Sequence, residues 1–167
     1  MAQIATLHLI SGLPCAGKST YAAGLKDERR AALFALDRWL ITSFGRYSLD
    51  VAGYAEHARR VYACRELIWS AAAELLVRGA DVILDDGFFR RGDRQVHVER
   101  ARQLGAGAAI HFIDTPVDVL RERLDARNRD PGEFHFDITP EALDACVAFF
   151  EPPSNDEGAD LIVVRRQ

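Results

Sequence analysis

A nearly continuous apolar run that opens into two glycines and a lysine restricts this chain more than anything else in it. Leu7-His8-Leu9-Ile10 leads into Ser11-Gly12-Leu13-Pro14-Cys15-Ala16-Gly17-Lys18-Ser19-Thr20, where Gly12, Gly17, Lys18 and Ser19 hold the spacing GxxxxGKS. That spacing is the Walker A pattern, and it works only between a buried strand and a helix. The glycines let the backbone curl so that successive N–H groups point inward, and the helix that follows adds its positive end. Residues Gly12, Pro14, Cys15, Ala16, Gly17, Lys18, Ser19 and Thr20 would line a phosphate cradle, with Lys18 on the β- and γ-phosphates and Ser19 on Mg²⁺. The four fixed positions coincide by chance about once in 10⁵ registers. A nucleoside triphosphate is therefore the expected ligand.

The rest of the chain alternates strands and helices. Ile4 to Ile10 reads as a buried strand, Lys18 to about Lys26 as a helix, and Ala31 to Leu36 as a short strand ending at Asp37. Arg38 to Gly53 is mixed and predicts a short helix and a loop. From Tyr54 to Arg78 one long helix is expected, with His57, Val61, Cys64, Ile68, Ala71 and Leu75 on one face and Gly79 as its stop. Arg59 and Arg60 fall off that face and Arg65 on its edge, as solvated charges. Asp81 to Leu84 predicts a strand, Asp93 to Leu104 a helix closed by Gly105, and Ala108 to Ile113 another strand. A helix from Pro116 to about Arg127 runs into the turn-rich Asn128-Arg129-Asp130-Pro131-Gly132. Thr139-Pro140-Glu141 begins a helix that Pro152-Pro153 ends, and Leu161 to Val164 is a last strand. Strands separated by helices throughout imply one α/β domain over residues 1–167, a parallel sheet with helices on both faces.

In such a sheet, ligands lie outside the carboxyl ends of the strands. The residues that end each strand are therefore the candidates. Asp37 follows the second strand, and Asp85 and Asp86 follow the third. Three carboxylates beside bound phosphate repel one another unless a cation intervenes, and Mg²⁺ meets that need, held by Ser19 and Asp85. Asp37 could accept the proton of an acceptor hydroxyl and aim its oxygen at the γ-phosphorus, or it could simply cap the helix that begins at Arg38. Asp86 could act on a substrate or cap the turn at Gly87. Arg123 and Arg127, four apart on one helix face, could close on the γ-phosphate. Arg38, Arg91 and Arg94 lie where an acceptor phosphate or carboxylate would be read, and residues 38–62 form the expected acceptor region.

Composition narrows the partners. A net charge of −4 disfavours a protein that coats nucleic acid. Three widely separated cysteines, Cys15, Cys64 and Cys146, suit free thiols in a reducing cytoplasm and offer no zinc spacing. Met1-Ala2-Gln3 opens no secretory leader, and no apolar run approaches a membrane span, so a cytoplasmic protein without membrane contact, monomer or dimer, is expected.

With Gly12 to Ser19, Asp37, Asp85 and the Arg123 to Arg127 helix in this order, the chain resembles the P-loop kinases of the polynucleotide kinase, zeta toxin and chloramphenicol phosphotransferase group. The resemblance spans nearly the whole chain. It implies a three-layer P-loop sandwich with strand order 2-3-1-4-5 and a mobile lid, here residues 121–139. It further implies that Lys18 and Ser19 hold ATP and Mg²⁺, that Asp37 is the acceptor-side base, and that Arg123 and Arg127 belong to the lid. Polynucleotide kinases tend to carry an arginine three residues after the catalytic Asp. Here that position is Leu40, and the arginine is the adjacent Arg38. The chain is more similar to small bacterial ATP-binding proteins with a Leu-Asp-x-Gly-Phe signature, Leu84 to Phe88, and a late Phe-Glu-Pro-Pro, Phe150 to Pro153. The expectation is thus a kinase acting on a hydroxyl of a small molecule. The rivals are a polynucleotide or RNA 5′-hydroxyl kinase and a non-catalytic ATP-binding switch or ATPase.

Overall fold

The structure is a computed structural model that describes residues 4–130 and 132–165, without the side chains of Leu49 and Asp50. The start of the chain at Met1-Ala2-Gln3 and Pro131 of the turn-rich segment lie outside the described residues. The elements in chain order are β1 (Thr6–Ser11), α1 (Lys18–Arg29), β2 (Ala32–Ala35), α2 (Leu36–Phe44), α3 (Leu49–Ala52) and α4 (Tyr54–Val77). Then follow β3 (Val82–Gly87), α5 (Arg91–Gln103), β4 (Gly107–Asp114), α6 (Val117–Arg129), α7 (Pro140–Phe149) and β5 (Asp160–Arg165). The five strands form one sheet in the order β2-β3-β1-β4-β5, and every neighbouring pair is parallel.

Strand alternation explains the two cores. Leu7 and Leu9 of β1, Leu84 of β3 and Ile110 of β4 face the layer of α4 and α5, where Cys64, Ile68, Ala72, Val98 and Ala101 meet them. Ile10, Ile83 and Ile113 face the other way, against Ala22 and Leu25 of α1, Leu120 and Leu124 of α6 and Leu143 of α7. Both faces of the central strands are thereby covered, as an all-parallel sheet requires.

Element ends follow local chemistry. Gly79 closes α4 and Gly105 closes α5 in the same way. The N–H of the glycine bonds the carbonyl three residues back and the next N–H reaches the carbonyl five back, at 3.0 Å in each case. Both glycines have positive φ, which completes the Schellman pattern. Thr139 caps α7, its hydroxyl accepting from Ala142 N at 3.1 Å, with Pro140 just inside. Four expectations shift. α1 runs on to Arg29 because Arg30 adopts the left-handed cap and bonds Lys26 O, and α6 carries Asn128 and Arg129 inside the helix. β2 stops at Ala35, so Leu36 and Asp37 open α2 and Asp37 occupies its first turn. The fully buried positions late in α4 are Ala72 and Leu76, one residue beyond Ala71 and Leu75.

Candidate active site

The phosphate loop forms where β1 runs out. At Gly12 a Cβ would stand 2.9 Å from Ile113 O, so only glycine lets the loop pass the end of β4. Gly12 N bonds Gly87 O at 3.0 Å and Ser11 Oγ donates to Phe88 O at 3.1 Å, tying the loop to β3. Thr115 Oγ1 donates to Ala16 O at 3.1 Å and ties it to β4. Gly17, at φ 93, turns the chain into α1, whose first turn has neither a side-chain cap nor an acidic residue. The leading N–H groups of α1 thus remain open beside the curled loop, which is the electrostatic setting an anion needs. Pro14 and Ala16 are buried and shape the loop; Cys15 holds a left-handed φ of 64 within it, and Thr20 begins α1 exposed just behind Ser19. Lys18 Nζ folds back onto Leu13 O at 2.7 Å, and burial pulls its pKa down from the ordinary lysine value.

β3 delivers Asp85 to the same rim. Ser19 Oγ donates to Asp85 Oδ2 at 2.8 Å, bringing two hard oxygen donors together. Among the described residues no group of three or more His, Cys, Asp or Glu side chains stands ready to hold a metal. A small dication that keeps several waters and shares phosphate oxygens needs only one or two protein oxygens, so Ser19 and Asp85 suit Mg²⁺ bound with a nucleotide.

Asp37 faces this cradle from the first turn of α2. Burial pushes its pKa up to about 6; Lys18 and Arg127 pull against that, while Asp85 and Asp86 add to it. α6 completes the ring. Arg123 Nη1 reaches Cys15 O at 3.5 Å, and Arg127 sends Nη1 to Cys15 Sγ at 3.8 Å and Nη2 to Phe136 O at 3.3 Å. Among the described residues the buried Nε of Arg127 has no hydrogen-bond partner. The structure therefore gathers Lys18, Ser19, Asp37, Asp85, Arg123 and Arg127 round one loop.

Other candidates are placed elsewhere. Arg94 is fully buried, its guanidinium bonded to Glu157 at 2.7 and 2.8 Å and to Phe88 O at 2.9 Å, so it belongs to the core rather than to a substrate pocket. Arg91 turns to the segment after α7, where it meets Asp156 Oδ1 at 3.0 Å and Ser154 Oγ at 3.1 Å. Both corrections share a cause: the acids of residues 151–157 claim these arginines, and a partner sixty positions away leaves no local mark. Asp86 is held by Arg65 through bonds of 2.6 and 2.8 Å, which removes it from direct substrate contact and makes Arg65 a buried-pair member instead of a solvated charge. Arg38 stays near the site, its guanidinium 4.8 Å over the ring of Phe134.

Phe134, His135 and Phe136 went unread in the sequence, whereas Phe44 and Tyr47 fall in the acceptor region expected over residues 38–62. His135 lies close enough to Arg127, Asp85 and Lys18 to feel their charges, and burial lowers its pKa. Tyr47 packs edge-on against Phe136 at 5.1 Å between centroids and meets His57 Nδ1 at 2.9 Å. Arg60 stacks over Phe44 and Tyr47. The run Phe134-His135-Phe136 was the available signal, two aromatics about a histidine in a segment otherwise polar.

Known structures share this architecture. A protein from Chloroflexus aurantiacus superposes with a TM-score of 0.77 at 20% identity, covering 98% of this chain and 89% of that one. Chaetomium thermophilum Kti12 in complex with ADP-AlF3 gives 0.71 at 18% identity, covering 95% and 88%. A sugar kinase from Janibacter gives 0.67 at 18% identity, covering 96% and 85%. No curated protein sequence matches the chain. The family model of the AAA domain matches residues 7–153, from the strand before the phosphate loop to the prolines after α7. This protein therefore belongs to the AAA domain family, with the fold of the P-loop kinases.

Proposed function

We propose that this protein is an ATP-dependent kinase that transfers the γ-phosphoryl group to a hydroxyl of a small molecule. The observation that carries this is Asp37, a carboxylate pushed up to about 6 and set within reach of Lys18, Asp85 and Arg127. A non-catalytic switch has no need of a desolvated carboxylate opposite the phosphate loop. In transfer, Asp37 accepts the acceptor's hydroxyl proton as the oxygen–phosphorus bond forms and the bond to the β-phosphate oxygen breaks, releasing ADP. A pKa near neutrality suits a base working at neutral pH better than the ordinary carboxylate value near ~3.9 does. Lys18 and the open N-terminus of α1 hold the β- and γ-oxygens, and Arg123 and Arg127 answer charge on the transferring group. Ser19 and Asp85 would hold Mg²⁺, which neutralises phosphate charge when bound.

The net charge of −4 weighs against a polynucleotide acceptor. The sugar kinase among the similar structures agrees with a small hydroxylated one. The test is ADP release and phosphoester formation across a panel of hydroxylated metabolites, run with wild type, Asp37→Asn and Lys18→Ala. Asp37→Asn should lower transfer by about 10²- to 10⁴-fold with nucleotide affinity nearly unchanged. Lys18→Ala should abolish turnover in a folded protein. Wild-type transfer in Asp37→Asn would reduce Asp37 to a helix-start residue, and ATP binding without transfer to any hydroxyl would return the chain to the switch reading.

A further inference from the structure

Through the middle of its sequence this chain neutralises its arginines. Every arginine from Arg59 to Arg102 is ion-paired to a carboxylate. Arg38 and Arg46, with Arg30, Arg127 and Arg129, lie outside that run. Among the described side chains neither Arg38 nor Arg46 has a carboxylate in ion-pair range; Arg38 rests on the face of Phe134, and Arg46 donates from Nη2 to Gly132 O. A ring face and a single carbonyl leave most of each guanidinium fork unsatisfied.

Their position is as telling as their charge. Arg38 adjoins Asp37 in sequence on α2, Arg46 follows the end of that helix, and Tyr47 beside Arg46 lies close enough to Asp37 to feel its charge. Their contacts, Phe134 and Gly132, both belong to the segment between α6 and α7. Between these two segments lies a cavity of about 230 Å³ lined by Arg46, Tyr47, Ser48, Phe136 and Asp137. It offers a guanidinium, an aromatic wall made by Tyr47 and Phe136, a hydroxyl, and an exposed carboxylate suited to accept hydroxyl protons. The donor phosphates are already answered by Lys18, the start of α1 and the two arginines of α6. A second pair of cations beyond Asp37 is superfluous for ATP and for a neutral sugar alike.

Resting on the kinase reading, we propose that the acceptor is a hydroxylated anion, a compound carrying both the hydroxyl to be phosphorylated and a carboxylate or phosphate group read by Arg38 and Arg46. Both groups accept paired N–H bonds from a guanidinium in the same way. The aromatic wall takes the carbon skeleton, and Asp137 takes a hydroxyl.

The test fills the donor cradle first, with Mg²⁺ and a non-hydrolysable ATP analogue, so that anions cannot enter it. Calorimetric titrations then compare matched pairs: gluconate with glucose, glycerate with glycerol, ribose 5-phosphate with ribose. At least one anionic member should bind more than about tenfold tighter than its neutral partner, and Arg46→Gln should remove about tenfold or more of that affinity while the ATP analogue binds as before. The carboxylate and phosphate pairs separate the two sources of charge. Equal or tighter binding of every neutral member, no binding of any anionic member, or undiminished binding in Arg46→Gln overturns the proposal. With ATP itself, ³¹P spectra report transfer. Anion binding without phosphoester formation would sink the kinase reading and leave the anion site standing, whereas indifferent transfer to neutral members would do the reverse.

Discussion

Asp37 carries a cost that an asparagine in its place would not. Its pKa of about 6 lies above that of the unfolded chain, so the folded state holds the proton longer and loses stability as pH rises from about 4 through 6. Asp37→Asn should therefore melt higher than wild type at pH 8, by up to about 3 kcal/mol, and at the same temperature as wild type near pH 4. Calorimetry at the two pH values checks this. In the same carboxylate, kcat/KM should fall below about pH 6 as the base is protonated. Gain of stability with loss of transfer in one substitution would mark a functional residue held at a cost in stability, since an aspartate with only a structural place in the first turn of α2 would change little on becoming asparagine.

At the scale of elements, α6 and α5 put the same residue type in opposite settings. Arg123 and Arg127 aim from α6 at Cys15 of the phosphate loop. Replacing both with glutamine should cut kcat by about 10³-fold or more and weaken ATP analogue binding far less, read from turnover and calorimetry side by side. Arg94 instead locks α5 to residues 154–157 through Glu157, with both side chains fully buried. Arg94→Gln leaves Glu157 without its partner in the core and should cost about 3–5 kcal/mol in denaturant unfolding, with ATP affinity retained below the melting transition. These roles could not be told apart from spacing. Spacing made Arg123 and Arg127 candidates, since they share a helix face that follows a strand end, but gave no sign that Arg94 depends on a glutamate that only the folded chain brings near.

Across the whole molecule, a polar chain runs through the layer under α1. Tyr21 Oη meets His111 Nδ1 at 2.8 Å, His111 Nε2 meets His8 Nδ1 at 2.9 Å, and His8 Nε2 stands 3.6 Å from Asp81 Oδ2. Burial and the neighbouring His8 lower His111 to about 4, below the ordinary value for the unfolded chain. The unfolded state then binds the extra proton first. The His111 contribution should be complete above about pH 6.5 and fall as pH drops toward 4, opposite in sign to that of Asp37, so urea midpoints at pH 7.5 and 5 measured in Asp37→Asn should show that slope. His111→Gln should flatten it. β1 and β4 carry these histidines in the face that holds α1, so acid is expected to loosen the helix that starts at the phosphate loop.

Sequence alone determined the local machinery: the strand-loop-helix of Gly12 to Ser19, the glycine stops at Gly79 and Gly105, the Thr139-Pro140 start, and the carboxylates that end β3 and open α2. Each is written in neighbouring residues whose backbone preferences and periodicity act over a few positions. What tertiary structure decided is who meets whom. It drew Asp86 to Arg65, Arg91 and Arg94 to the acids near the end of the chain, and Arg38 to Phe134, because partners for long charged side chains are chosen by sheet order and loop packing across separations of 20 to 100 residues. It also raised Asp37 toward neutrality, since desolvation belongs to a site and not to a residue.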